Sequence, residues 1–160
     1  MAVQALPAND RYGDGDIQIT GFSFFDDQGE ARHTLVTGEN ASALIRFACR
    51  DTVTEPVAVI AIYRPDGICA MQVISSRSGY HFPLLKSDGG IRVDFQPLTL
   101  GPGEYVVSIA LFKELNLASS VEPPAHDLHD RCYPLKMLPP VGIQVEIGVV
   151  NQTAEWHIVQ

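Results

Sequence analysis

Residues 100–111 read LGPGEYVVSIAL, and this stretch decides the fold that the sequence predicts. Tyr105 follows a Gly-Pro-Gly turn and opens an alternating apolar run, which is typical of a tyrosine corner. In that motif the Tyr hydroxyl donates a hydrogen bond to backbone a few residues upstream and braces a Greek-key crossover. The alternative is an ordinary turn before a strand, with Tyr105 serving only as a core side chain.

Apolar and polar residues alternate along the rest of the chain, and no stretch has the period of an amphipathic helix. The predicted strands cover residues 16–25, 33–36, 41–49, 57–63, 68–74, 91–95, 105–111, 132–138 and 143–149, with a possible short piece at 80–85. Gly21 stands where the apolar phase of the first strand shifts, which indicates a β-bulge. Pro65-Asp66-Gly67 between two apolar runs predicts a hairpin turn.

Two segments carry no strand pattern. Residues 1–12 are polar and contain Pro, and they are expected to be a linker or an expression remnant. Residues 113–131 contain Pro123-Pro124 and are expected to form a long connection on the surface. We therefore predict that residues 13–160 form one all-β domain, an immunoglobulin-like two-sheet antiparallel β-sandwich.

Composition excludes several classes of protein. The net charge of −8 argues against a sequence-independent grip on nucleic acid. The longest apolar run, residues 57–63, is far shorter than the roughly 20 residues that span a bilayer. The N-terminus lacks the basic and apolar regions of a secretion signal, so we expect a cytoplasmic protein.

The cysteine content also favours a cytoplasmic protein. Cys49, Cys69 and Cys132 are odd in number and include no closely spaced pair, which predicts neither a disulfide framework nor a structural zinc site. Val107 stands where an immunoglobulin domain would place its second cysteine, so the disulfide of that fold is not expected.

Motifs for catalysis and for metal binding are weak. No phosphate-binding loop and no nucleophile elbow follows a strand, so we predict that the chain is not an enzyme and takes no cofactor. His126-Asp127-Leu128-His129-Asp130 could supply zinc or calcium ligands, and the alternative is a solvated acidic loop. Since no distant ligand pairs with these residues at a known spacing, no metal site is predicted.

Strand alternation predicts a binding face. If residues 58, 60, 62, 105, 107, 109 and 111 face the core, small side chains line the outer centre of two neighbouring strands, and aromatic side chains stand at one end. Such a trough suits a sugar ring, while nearby cationic side chains could hold a carboxylate or phosphate. The candidate ligand-binding residues are Tyr63, Arg64, Arg77, Tyr80, His81, Ser108 and Phe112, with Lys86 close to them in sequence. The alternative is that a long loop covers this face.

The C-terminal strand predicts a homodimer. Residues 143–149 have one apolar face, and Pro139-Pro140 makes a stiff hinge in front of them. A strained hinge favours exchange of the strand between protomers, whereas an intramolecular edge strand is the alternative.

Several short sequence motifs, taken in their order along the chain, resemble those of a known family. They are Arg11-Tyr12-Gly13-Asp14-Gly15 before Ile17 and Ile19, Asp27-Gln28-Gly29, Thr37-Gly38-Glu39, Ile60-Ala61-Ile62, Pro65-Asp66-Gly67, Pro102-Gly103-Glu104-Tyr105 and His129-Asp130-Arg131. Over residues 11–159 the chain resembles the C-terminal carbohydrate-binding domain of Wzt-type ATP-binding subunits. Those subunits belong to bacterial ABC transporters that export O-antigen polysaccharide.

The resemblance implies a function in lipopolysaccharide biosynthesis. It implies recognition of the capped non-reducing end of an O-polysaccharide glycan, which couples chain completion to export at the cytoplasmic face of the bacterial inner membrane. The partners that it implies are the nucleotide-binding and membrane subunits of the transporter, and a second copy of the domain through C-terminal strand exchange. The alternative is a protein-interaction or structural β-sandwich appended to a glycan-assembly enzyme.

Overall fold

The computed structural model describes residues 11–160, and the part of the predicted linker that lies outside them is residues 1–10. Within the described residues the chain forms ten strands and no helix. The strands are β1 (Arg11–Tyr12), β2 (Ile17–Phe25), β3 (Ala31–Arg32), β4 (Thr34–Val36), β5 (Ala41–Cys49), β6 (Val57–Tyr63), β7 (Cys69–Ile74), β8 (Gly89–Phe95), β9 (Gly103–Phe112) and β10 (Ala125–Leu138).

The strands form two sheets that pack face to face. One sheet has the order β1-β10-β9-β6-β7, with β4 also paired to β10, and the other has the order β3-β2-β5-β8. The pairings of the described strands are antiparallel except for β4 with β10, which run parallel. The predicted all-β two-sheet sandwich is confirmed.

The core lies between the sheets and follows the predicted alternation. Val107, Ile109 and Leu111 of β9 are fully buried, and so are Ile17 of β2 and Ile45 of β5 from the opposite sheet. Burying one such side chain stabilises the fold by about 1.5–3 kcal/mol. This alternation fixes the second face of β9 and β6 on the outside of the sandwich.

The local signals in the sequence are reproduced. The register of β2 with β5 shifts between Ile19 and Gly21, which is the predicted bulge. In the β6–β7 turn, the Gly67 N–H donates to the Arg64 carbonyl at 2.9 Å. The tyrosine corner is also confirmed, because the buried Tyr105 hydroxyl donates to the Gly101 carbonyl at 2.8 Å.

The largest difference from the sequence prediction is the start of β10. The predicted surface connection over residues 113–131 is wrong from Ala125 onward, since β10 already begins there and pairs with β9. Its polar residues are buried because they find partners in the sandwich: the Asp127 carboxylate accepts from the Ile19 N–H of β2 at 2.7 Å. A strand that buries polar side chains lacks the usual apolar alternation, so its sequence predicts a loop.

The two ends of the chain also differ from prediction. Arg11 and Tyr12 were expected to lie in the linker, and instead they pair with β10 as β1. The strand predicted at 143–149 is absent, and this segment instead lies along the Tyr105 corner. Its end is tied to the sandwich by the Gly101 N–H, which donates to the Val149 carbonyl at 2.6 Å, and by an isolated bridge between Leu100 and Val150. Residues 80–85 likewise form no strand beyond the bridge of Leu85 with Val53.

Candidate functional site

The outer face of the six-stranded sheet carries a floor of small side chains. Val59, Ala61, Ser108 and Ala110 form this floor and are all buried, although they lie outside the core between the sheets. Val59 pairs with Ala110, and Ala61 pairs with Ser108. We call this floor and its borders the outer trough. Because neighbouring strands lie about 4.8 Å apart, the outer trough from β10 to β7 is about 14 Å wide.

Aromatic side chains border the outer trough at both ends, whereas the strand pattern predicted them at one end. Because β6 and β9 run antiparallel, their last residues, Tyr63 and Phe112, lie at opposite ends. Tyr63 pairs with Val106 at one end, and Phe112 pairs with Val57 at the other. Both aromatic residues are half-buried. Along its sides, Leu128 of β10 stands opposite Ala110, and Gln72 of β7 stands opposite Ala61.

Arg131 changes what the Tyr63 end can do. The carbon at the centre of its guanidinium group lies 5.2 Å from the centroid of the Tyr63 ring. This is a cation–π contact, and it occupies one face of the ring that strand alternation had left open for a sugar. A ligand at this end would meet Arg131 together with Tyr63.

A bulge in β10 places Arg131 there. The register of β10 with β9 shifts between His129 and Tyr133, and within this bulge Asp130 contacts Ser108 and Arg131 contacts Tyr63 on the trough side. The buried Ser108 hydroxyl holds the bulge, because it donates to the Asp130 carboxylate at 3.1 Å and accepts from the Arg131 N–H at 2.8 Å. Asp130 in turn accepts from the Arg131 guanidinium at 3.2 Å and 3.4 Å.

Neighbouring groups raise the pKa values of Arg131 and Tyr63 at this end. The hydrogen bond to Asp130, and then its charge, raise the pKa of Arg131. Partial burial, and then the neighbouring Cys69, raise the pKa of the Tyr63 hydroxyl, while the Arg131 charge opposes that change. One cation, one anion and a neutral phenol thus meet at the same end of the trough.

Tyr80 and His81 lie in a second depression, which we call the side cleft. It has a volume of about 640 Å³ and is also lined by Lys113 and Glu114. Val57 lines it as well, and since Val57 pairs with Phe112, the side cleft borders the Phe112 end of the outer trough. The structure therefore brings Phe112, Tyr80 and His81 to one end, and Tyr63 and Ser108 to the other.

The predicted arginines lie apart from the trough. Arg64 forms an ion pair with Asp66 at 2.8 Å and lines a different cleft, of about 440 Å³, beside Tyr105 and the C-terminal segment. Arg77 and Lys86 are exposed in the connection between β7 and β8, and no contact described within residues 11–160 brings either to the floor. The sequence analysis placed these cations near the predicted binding face, because a position in a turn does not fix the direction of the side chain.

The histidines weighed as metal ligands do not converge. His126 is buried and its Nδ1 lies 3.2 Å from Asp14, while the Nδ1 of His129 lies 2.7 Å from the Tyr133 hydroxyl. Asp14, Asp16 and His126 could bring three ligand atoms within 4.8 Å of one another, yet the Lys113 ammonium already pairs with Asp14. This group ties the β1–β2 connection to the Phe112 end of the sheet.

Asp14 has an unusually acidic carboxyl group as a result. Burial by itself raises the pKa of Asp14, but the hydrogen bond from Lys113 and those from the Asp16 N–H and His126 outweigh it. The net effect lowers the pKa from 3.8 to about 2. A carboxylate held by three donors in this way stays ionised below the pH at which an ordinary aspartate takes up a proton.

Sequence reasoning missed Asp130 and Arg131 as site residues. Both lie in the segment predicted to be a surface connection, where Asp130 was considered only as a metal ligand and Arg131 only as part of a family pattern. A signal was present: Ser108 is the one hydroxyl on the outer face of β9, and a buried hydroxyl requires a partner on the neighbouring strand.

Comparison with known proteins supplies a family and a fold. The model of the family described as the Wzt C-terminal domain matches residues 8–152. The solved structure titled "Crystal structure of the C-terminal domain of wzt" is similar with a TM-score of 0.72 at 16% identity, over 93% of this chain and 87% of the other. No curated protein matches the chain in sequence.

Proposed function

This chain belongs to the Wzt C-terminal domain family, and on that premise we propose that it recognises the capped non-reducing end of an O-antigen polysaccharide without catalysis. The family is associated with ABC transport of O-antigen. Recognition of the cap couples completion of the glycan to its export.

The observation that carries the proposal is the outer trough. It combines a smooth floor of small side chains with aromatic side chains at both ends and a fixed hydrogen-bonding pair at one of them. Sugar rings bind proteins through this combination of flat apolar contact and oriented polar groups. Small side chains at its centre and the polar pair at one end distinguish the face from a broad apolar patch of the kind that binds another protein.

The partners follow from the family. We propose that the domain acts with the nucleotide-binding and membrane subunits of the transporter, at the cytoplasmic face of the bacterial inner membrane. Within residues 11–160, no helix has the length and apolar character needed to cross a membrane.

A homodimer with exchanged C-terminal segments is part of the same proposal. In the single chain, Val141 is 99% exposed, Val145 is 72% exposed and Trp156 is 92% exposed. Apolar side chains that are left uncovered favour burial against another surface. The alternating pattern of residues 143–149 fits the edge of a partner's sheet, because these residues form no strand in the single chain. The sandwich contacts their backbone at the end of the segment, where the Gly101 N–H donates to the Val149 carbonyl.

The alternative function is a protein-interaction or structural module of a glycan-assembly enzyme. The same exposed C-terminal side chains are the observation that favours it. In that case the partner would cover the C-terminal segment, and the outer trough would bind no glycan.

Isothermal titration with a capped O-polysaccharide and its uncapped form tests the proposed function. We expect binding of the capped form alone, and loss of that binding in Ala61→Phe, which fills the floor of the trough. Ala48→Phe is the matched control, because Ala48 lies on the outer face of the opposite sheet and pairs with Gln18. Equal binding of both glycans, or full binding by the Ala61 variant, would contradict the proposal.

A further inference from the structure

Arg131 has a strained backbone at the Tyr63 end of the outer trough. Its φ of 49° lies in the left-handed region, which a side chain of this size rarely adopts because its Cβ crowds the backbone. Strained residues persist where the surrounding structure holds them, and they concentrate at ligand sites. The strain at Arg131 therefore indicates that the bulge orients side chains toward a ligand.

The bulge presents a fixed pair of side chains. Ser108 holds it from beneath with two hydrogen bonds, and the Cys132 thiol donates to the Asp130 carbonyl at 3.0 Å. From above, the Arg131 guanidinium lies against Asp130 on one side and against the Tyr63 ring on the other. Both charged groups are thus oriented before any ligand arrives, which reduces the entropy lost on binding.

Both members of the pair keep capacity for a ligand. The Arg131 side chain is 50% exposed and that of Asp130 is 41% exposed. The guanidinium group carries more N–H donors than Asp130 accepts, and within residues 11–160 no further acceptor is described for it. The Asp130 carboxylate likewise has lone pairs beyond those that Arg131 and Ser108 use.

A donor and an acceptor side by side match two neighbouring hydroxyl groups. A hydroxyl can donate to the carboxylate and accept from the guanidinium, so a vicinal diol satisfies both without displacing the ion pair. An anionic group would instead compete with Asp130 for Arg131 and would stand next to an uncompensated carboxylate. The balanced pair thus favours a neutral ligand over a phosphate or a carboxylate.

We propose that Asp130 and Arg131 determine the specificity of the outer trough by binding the vicinal hydroxyl groups of a neutral sugar residue. The inference rests on the proposed function and adds the ligand class that this end accepts. Tyr63 acts as a positioning residue, because its ring carries the guanidinium on one face. An anionic cap, where the glycan has one, is then read elsewhere than at Arg131.

An array of purified bacterial O-polysaccharides with neutral and with acidic terminal residues provides the test. Wild-type chain is applied to the array, and each bound glycan is then titrated into ¹⁵N-labelled protein. We expect neutral glycans with a terminal vicinal diol to bind and to shift the amide signals of Ser108, Asp130 and Arg131. Arg131→Ala and Asp130→Asn should each weaken binding by about tenfold or more, as loss of a charge-assisted hydrogen bond implies.

Two further variants separate specificity from folding. Arg92→Ala is the matched control, because Arg92 forms an exposed pair with Asp94 at 2.8 Å on the opposite sheet, and it should bind normally. Arg131→Lys keeps the charge but loses the planar fork, so we expect it to bind weakly while melting like the wild type.

The outcomes distinguish the inference from the function beneath it. Binding at the trough that survives Arg131→Ala, or that prefers acidic termini, would overturn the inference and leave glycan recognition standing. Absence of any bound glycan on the array would overturn both. Selective binding of neutral diols that is lost in both variants supports both.

Discussion

The tyrosine corner offers the sharpest test of the fold, through Tyr105→Phe. The substitution removes one hydroxyl and leaves the aromatic ring in place, so it deletes the 2.8 Å hydrogen bond to the Gly101 carbonyl without opening a large cavity. Loss of one buried hydrogen bond costs about 1 kcal/mol, and an acceptor left unsatisfied can add to that. In a chain of 160 residues, we expect the melting temperature to fall by about 2–4 °C.

Urea denaturation followed by fluorescence and circular dichroism measures the effect. Tyr80→Phe is the matched control, because Tyr80 is 56% exposed and the same hydroxyl is removed from a solvated position. The control should change the free energy of unfolding by less than about 0.5 kcal/mol. An unchanged midpoint for Tyr105→Phe would refute the bracing role of the corner, because the carbonyl of Gly101 would then find an equal partner in water.

Three other predictions concern surface charge, pH and assembly. Arg64→Ala and Arg77→Ala should each change the free energy of unfolding by less than about 0.5 kcal/mol. Each should weaken the binding of an anionic ligand only if that ligand contacts the arginine. If either variant unfolds, that arginine has a structural role. Asp14→Asn should reduce stability at neutral pH and flatten its loss in acid. The lowered pKa contributes stability above pH 3.8 that disappears as the pH falls toward about 2, and parallel acid-denaturation curves would contradict this. Sedimentation equilibrium should show a dimer for the full chain and a monomer for a chain ended at Leu138, and a monomeric full chain at tens of micromolar would exclude strand exchange.

Alternation and turn chemistry determined most of the sandwich from the sequence alone. The inward residues of β9, the bulge at Gly21 and the turn at Gly67 were all placed correctly. These features depend on side-chain periodicity and on backbone dihedral preferences within a few residues, which are local properties of the chain. The outer face of β6 and β9, and with it Tyr63 and Phe112, followed from the same alternation.

Only the tertiary structure decided the first half of β10. His126, Asp127 and His129 are buried there because Asp14, the Ile19 amide and Tyr133 provide hydrogen bonds from other parts of the fold. From the sequence alone a polar side chain is predicted to be exposed, because its burial without a hydrogen-bonding partner is costly. Here the partner is remote along the chain and cannot be identified from the sequence. Asp130 and Arg131 were hidden in the same way, because a bulge held by Ser108 of another strand positions them.

The C-terminal segment shows the opposite case, in which a strong local pattern did not suffice. Residues 143–149 alternate as a strand does, yet they form no strand in the single chain. Alternation specifies which side of a strand is apolar, but a strand exists only where a neighbouring edge accepts its backbone hydrogen bonds. The sequence therefore determined the local conformations that each segment favours, and the tertiary structure decided which of them found a partner.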